Sequence, residues 1–112
     1  MKPEDIFPPE ILDAMPRLGD TSEIPLDERT VPLELFNAAG AGTWYLFEYD
    51  PEDRIFFGYA DLGDPMCAEF GTVSMDELLE TDKNTRPLLF MLERDFHWNP
   101  ETTVEQVLEK YR

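Results

Sequence analysis

Thr43-Trp44-Tyr45-Leu46-Phe47-Glu48-Tyr49-Asp50-Pro51-Glu52-Asp53-Arg54-Ile55-Phe56-Phe57-Gly58-Tyr59-Ala60-Asp61-Leu62 is the stretch that decides the fold. Thr43 to Tyr49 is built from residues that favour a pleated, half-buried surface. Asp50 followed by Pro51 is the preferred opening of a type I turn. Arg54 to Leu62 then reads as the returning strand, so the segment is a β-hairpin. Its strands carry large apolar residues on both faces, with Trp44 and Leu46 opposed to Tyr45, Phe47 and Tyr49. Either helices cover both faces, or one aromatic face is left as an interaction surface. The sequence leaves both open.

Upstream of the hairpin, Val31, Leu33 and Leu35 alternate with Pro32, Glu34 and Phe36, which is the period of a half-buried strand. Pro32 has no N–H for a ladder, so this strand is expected at a sheet edge. Glu10 to Met15 reads as a short helix closed by Pro16. Ile11, Leu12 and Met15 would form its buried stripe, and Arg17–Arg29 reads as a polar loop. Residues 1–8 are expected to be a flexible tail. Downstream, Cys67–Val73 reads as a further strand. Ser74 and Glu77 form a capping-box pair for a helix over about Met75–Glu80. Leu88–Leu92 reads as an extended segment. Thr102 and Glu105 form a second capping pair, with Val104, Val107, Leu108 and Tyr111 at helical spacing behind it. The expectation is one α+β domain over 1–112. It has an antiparallel meander of about four strands, short helices packed on it and a C-terminal helix.

The composition excludes several classes. The chain has 112 residues, and eight Phe, four Tyr and two Trp are enough to fill a core. Twenty-five acids against nine Lys and Arg leave a net charge of −16. Such a field disfavours direct binding to nucleic acid or to an anionic membrane. One cysteine, Cys67, permits no intrachain disulfide or thiolate cluster, and one histidine, His97, leaves no zinc set. No apolar run reaches the ~20 residues of a membrane span. The start, Met1-Lys2-Pro3-Glu4-Asp5, is not an apolar leader, so the expected setting is cytoplasmic. No metal, cofactor or catalytic residue is expected. Asp50, Glu52 and Asp53 lack calcium-loop spacing. Gly40-Ala41-Gly42 lacks the lysine and third glycine of a phosphate loop. Glu93-Arg94-Asp95 reads as structural, with Arg94 expected to bind a carboxylate and fix a chain reversal.

The charge is uneven. Residues 44–82 hold eleven acids and one base, Arg54, whereas the last thirty residues are balanced. Spread over roughly 6,300 Å² of surface, −16 is about one charge per 400 Å². Duplex DNA carries roughly one per 100 Å². Imitation of DNA therefore requires the acids to gather on one face. The plain alternative is a solvated surface that serves solubility or salt tolerance.

Three pieces resemble a small bacterial family known as domain of unknown function 2958. They are the hairpin at 43–59, Glu69-Phe70-Gly71-Thr72-Val73-Ser74-Met75-Asp76-Glu77-Leu78, and Leu92-Glu93-Arg94-Asp95-Phe96-His97-Trp98-Asn99-Pro100. Members commonly occur on plasmids and other mobile elements. The resemblance implies a protein used against, or with, host nucleic-acid machinery, and it carries over no catalytic residues.

The leading expectation is a small acidic protein that binds a basic protein surface. Its sharpest form is a DNA mimic that inhibits a restriction or CRISPR effector. The expected contacts are Glu48, Asp50, Glu52, Asp53, Asp61, Asp64, Asp76, Glu77, Glu80 and Asp82. A second expectation is a module that binds its partner through exposed Trp44, Tyr45, Tyr49, Tyr59 and Trp98. A third is a carboxylate enzyme, with Glu93, Asp95 and His97 as its site.

Overall fold

The computed structural model describes residues 2–63 and 68–111. The strands are β1 (Leu33–Asn37), β2 (Thr43–Asp50), β3 (Ile55–Asp61), β4 (Glu69–Ser74) and β5 (Leu92–Arg94). They form one antiparallel sheet in the order β4-β3-β2-β1-β5. The helices are α1 (Pro3–Ile6), α2 (Pro9–Ala14), α3 (Met75–Thr85) and α4 (Val104–Leu108). The arrangement is α+β, as the residue patterns predict. Among the described residues, no helix is long and apolar enough to cross a membrane.

Strand β2 is buried from Trp44 to Tyr49, and both of its faces are covered. On one face Trp44, Leu46, Tyr49 and Phe56 pack with Leu33, Leu35 and Leu92 under residues of α1, α2 and α3, including Ile6, Met75 and Leu78. On the other, Val31, Tyr45, Phe47 and Tyr59 pack against Val104 and Val107 of α4, with Trp98 and Leu26 closing the rim. The aromatics interlock: Phe56 lies 4.7 Å from Tyr49 and 5.6 Å from Phe7, and Phe47 meets Phe57 edge-on at 5.2 Å. Hence Trp44, Tyr45, Tyr49 and Tyr59 are core residues, between 4% and 8% exposed, and do not form an exposed aromatic patch. Trp98 is half-buried and donates its indole N–H to the Val31 carbonyl at 2.7 Å.

Several expectations are corrected. The first strand is interior, because β5 pairs with it through Leu35, Phe36 and Asn37. Pro32 precedes β1 and so removes no ladder donor. The opening residues are not a free tail: Ile6 and Phe7 are apolar enough to dock, and both are buried. Helix α3 runs to Thr85, past the expected end at Glu80. Leu88 and Leu89 lie in an exposed turn, and the strand comes later, at Leu92–Arg94. The last helix is capped by Thr103 with Gln106, one residue beyond the expected pair, and continues as a 3-10 turn to Tyr111. Ser74 caps α3 by accepting the Glu77 N–H at 3.2 Å. Cys67 lies outside the described residues.

Because one strand serves two cores, damage to either face should unfold the whole sheet. Phe47→Ala and Phe56→Ala remove a fully buried ring from opposite faces. Each is expected to cost about 3–5 kcal/mol. Urea unfolding should show one cooperative transition with an unchanged m-value in both variants.

Candidate functional site

The expected contact residues divide into four groups. The first sits at one end of the sheet. Asp50, Glu52 and Asp53 form the β2–β3 turn, with Asp50 Oδ1 accepting the Glu52 N–H at 2.9 Å. Arg54 follows with φ +56°, a left-handed conformation that lets the chain re-enter β3. Its guanidinium donates to Asp76 Oδ1 at 2.7 Å, and its carbonyl accepts the Met75 N–H at 3.0 Å. These two contacts bring the start of α3 beside the turn. Glu77 and Glu80 then continue along the exposed side of α3, one helical step apart. The buried Tyr49 phenol registers the convergence. Burial raises its pKa most, Arg54 and Arg17 oppose the rise, and Asp76 and Asp50 add to it.

The second group is at the opposite end. Asp61 pairs with Thr43, six strand steps from Ile55, or about 20 Å along β3. Asp64 lies outside the described residues.

The third group is Glu48 alone, which is not on the surface. It is 3% exposed, although the strand pattern offered it as a contact residue. The reason is a β-bulge: the register between β2 and β3 shifts between Leu46 and Glu48, which leaves Phe47 as the extra residue. The bulge aims Glu48 at the loop that follows α2. There it accepts the Gly19 N–H and the Thr21 N–H, each at 3.1 Å, and the Thr21 hydroxyl. Desolvation disfavours the carboxylate. The Thr21 and Gly19 hydrogen bonds, with Arg29 nearby, outweigh it and hold the pKa below 4.5.

The fourth group is Asp82, which is half-buried and structural. Its Oδ1 accepts the Leu92 N–H at 2.7 Å, and it pairs with Arg86 at 3.2 Å. Arg86 reaches on to Glu93 at 3.0 Å. The chain reversal before β5 is therefore fixed by Arg86. Arg94 instead donates to the Asp5 carbonyl at 3.0 Å and stacks over Phe96.

Of the three residues considered for catalysis, Asp95 lines a hollow. Glu93 is taken up by Arg86, and His97 is exposed, with its backbone N–H bonded to Asp95 Oδ1. The hollow holds about 290 Å³, and its walls include Glu10, Glu34, Asp95 and Trp98. Glu34 is half-buried. Desolvation raises its pKa and Asp95 adds to the rise, while Lys110 opposes it. Lys110 lies 5.4 Å from the Trp98 ring and 5.7 Å from the Tyr45 ring. Alternation alone assigns Glu34 to the solvent side of β1, so the sequence does not single it out. Its only signal was a glutamate within an otherwise apolar strand. Among the described residues, no cluster of three or more His, Cys, Asp or Glu is arranged to hold a metal ion.

The family profile described as protein of unknown function (DUF2958) matches residues 7–112. The chain belongs to that family. No curated protein and no solved structure matches it.

The role of Glu48 can be read from acid unfolding. Its folded pKa lies below its unfolded value, so its contribution is complete above about 4.5 and is lost as pH falls through the folded value. Glu48→Gln sets an amide donor against the Thr21 and Gly19 donors. It should cost about 1–3 kcal/mol at neutral pH. Urea midpoints measured against pH should fall less steeply in the variant below the ordinary carboxylate range.

Proposed function

We propose that the chain is a non-catalytic acidic protein that binds a basic protein surface. The contact is the sheet end made by Asp50, Glu52, Asp53, Asp76 and Glu77, extended along α3 by Glu80. The observation that carries this reading is the tie of Arg54 to Asp76 and to the Met75 N–H. It joins a turn and a helix start, distant in sequence, into one acidic surface. The side chains of Arg54 and Asp76 remain 46% and 64% exposed, so the pair lies within reach of a partner.

The sharper form of the proposal is that the partner is a nucleic-acid-binding effector of a defence system, with the chain occupying its DNA groove. The acidic end supports contact over a short footprint. Asp61 is about 20 Å away along the strand, and Glu48 and Asp82 are engaged within the fold. Mimicry would therefore cover a few phosphate positions, and a long duplex tract would not be imitated. The unevenness of the charge favours this reading over a uniform solubilising coat.

Binding of this kind is fast and strongly screened. Capture of partners from a host lysate should fall steeply between about 50 and 200 mM salt, as counterion-linked binding does. The captured protein should be released by added duplex DNA. The combined change Asp50→Asn, Glu52→Gln and Asp53→Asn should weaken capture without altering the unfolding midpoint by more than a surface change does. Retention that is indifferent to salt, to DNA and to these substitutions would sink the proposal.

A further inference from the structure

We infer that the outer edge of β4, together with the groove between it and α3, is a docking site for an extended segment of a partner protein. The segment alternates apolar side chains with lysine or arginine. This site adjoins the acidic end described above and shares Glu77 with it, but it works through the main chain of β4 and an apolar groove.

The edge is open. Strand β4 is terminal in the sheet and pairs only with β3. The Met75 N–H bonds to the Arg54 carbonyl. Continuing that alternation along the antiparallel register, Val73, Gly71 and Glu69 turn their main-chain groups toward β3. The N–H and C=O groups of Phe70 and Thr72 therefore point away from the sheet. Among the described residues, no backbone bond from another segment reaches them. An added strand would find both donors and acceptors there.

The groove beside this edge is apolar and already formed. Two adjoining hollows of about 460 and 360 Å³ share Ala60, Leu62, Thr72 and Val73. Leu78 of α3, with Trp44 and Phe90, forms the far wall. Gly71 keeps the floor low: a Cβ placed on it would meet no atom within 4 Å. Leu62 at the mouth is 69% exposed. Side chains on one face of an added strand recur every second residue, and those on the α3 side would enter the hollows.

The charge selects the occupant. Among the described residues, the acids lining the hollows are Glu69 and Glu77, and no basic residue lines either; Asp61 adjoins Leu62. A second copy of this chain brings −16 to the same place and is repelled. A segment that carries lysine or arginine beside its apolar side chains is drawn to these carboxylates.

The test uses the full chain and a blocked peptide of alternating valine and lysine, followed by amide chemical shifts. Saturable shifts are expected at Phe70 and Thr72. N-methylation of alternate peptide amides should weaken binding by about tenfold or more, since it removes the main-chain pairing. Gly71→Val, which has room and ordinary backbone angles, should fill the floor and weaken binding by a similar factor. The combined change at Asp50, Glu52 and Asp53 should leave this peptide's affinity within about twofold at physiological salt, because none of the three is among the residues lining the hollows and exposed charges outside the contact are screened. The inference is overturned if no saturable shift occurs up to millimolar peptide. It is equally overturned if the N-methylated peptide or the Gly71→Val protein binds as tightly as the parent pair. Shifts confined to residues 50–53, or self-association of the chain through β4 seen by sedimentation, would also overturn it. Loss of the peptide site with salt-sensitive lysate capture intact would separate this inference from the acidic-end proposal.

Discussion

Burial of β2 on both faces is the constraint from which the other elements follow. A strand with Trp44, Leu46 and Tyr49 on one side and Tyr45 and Phe47 on the other cannot leave either side in water. Two covering layers are needed, and a chain of this length has few residues to make them. One layer comes from α1, α2 and α3, and the other from α4 with the segments around Val31 and Trp98. This is why segments from both ends of the sequence dock onto the sheet, and why helices as short as α1 and α4 persist. Alone they would be too short to hold together. Here burial of Ile6, Val104 and Val107 stabilises them.

The bulge at Phe47 resolves a second conflict in the same strand. A regular β2 would carry Glu48 to the face that holds Trp44 and Leu46. The extra residue changes its aim, and the loop at Gly19 and Thr21 supplies the donors an ionised, buried carboxylate requires. Glu48 thus fastens a proline-punctuated loop to the sheet. Gly58 belongs to the same arrangement: it pairs with Leu46 beside the bulge, where a Cβ would lie 2.3 Å from the Tyr45 carbonyl oxygen.

What the residues disclosed follows the physics of each signal. Alternation and turn chemistry are local, so the hairpin, the α3 cap and the α+β class were legible. Edge position is not local. Pro32 argued for an edge, but the three-residue β5 that covers β1 comes from more than fifty residues away. The acidic contacts were legible as a count and not as a surface. Separating Glu48 and Asp82 from Asp50 and Asp76 required the register shift and the Arg86 network. The Glu34 hollow needed a pairing between β1 and the segment around Asp95 that no spacing in the sequence announces.

The excess charge and the open edge also explain each other. A sheet edge with outward main-chain groups beside an apolar groove is the kind of surface that recruits further copies of itself. Nothing on β4 blocks this sterically: it has no proline, and Gly71 leaves its flank low. The remaining protection is electrostatic. Copies that each carry −16 repel at the distances where strand pairing would begin, while a basic chain is drawn toward the same edge. On the proposed docking at β4, one distribution of charge would both oppose self-pairing and favour a cationic partner.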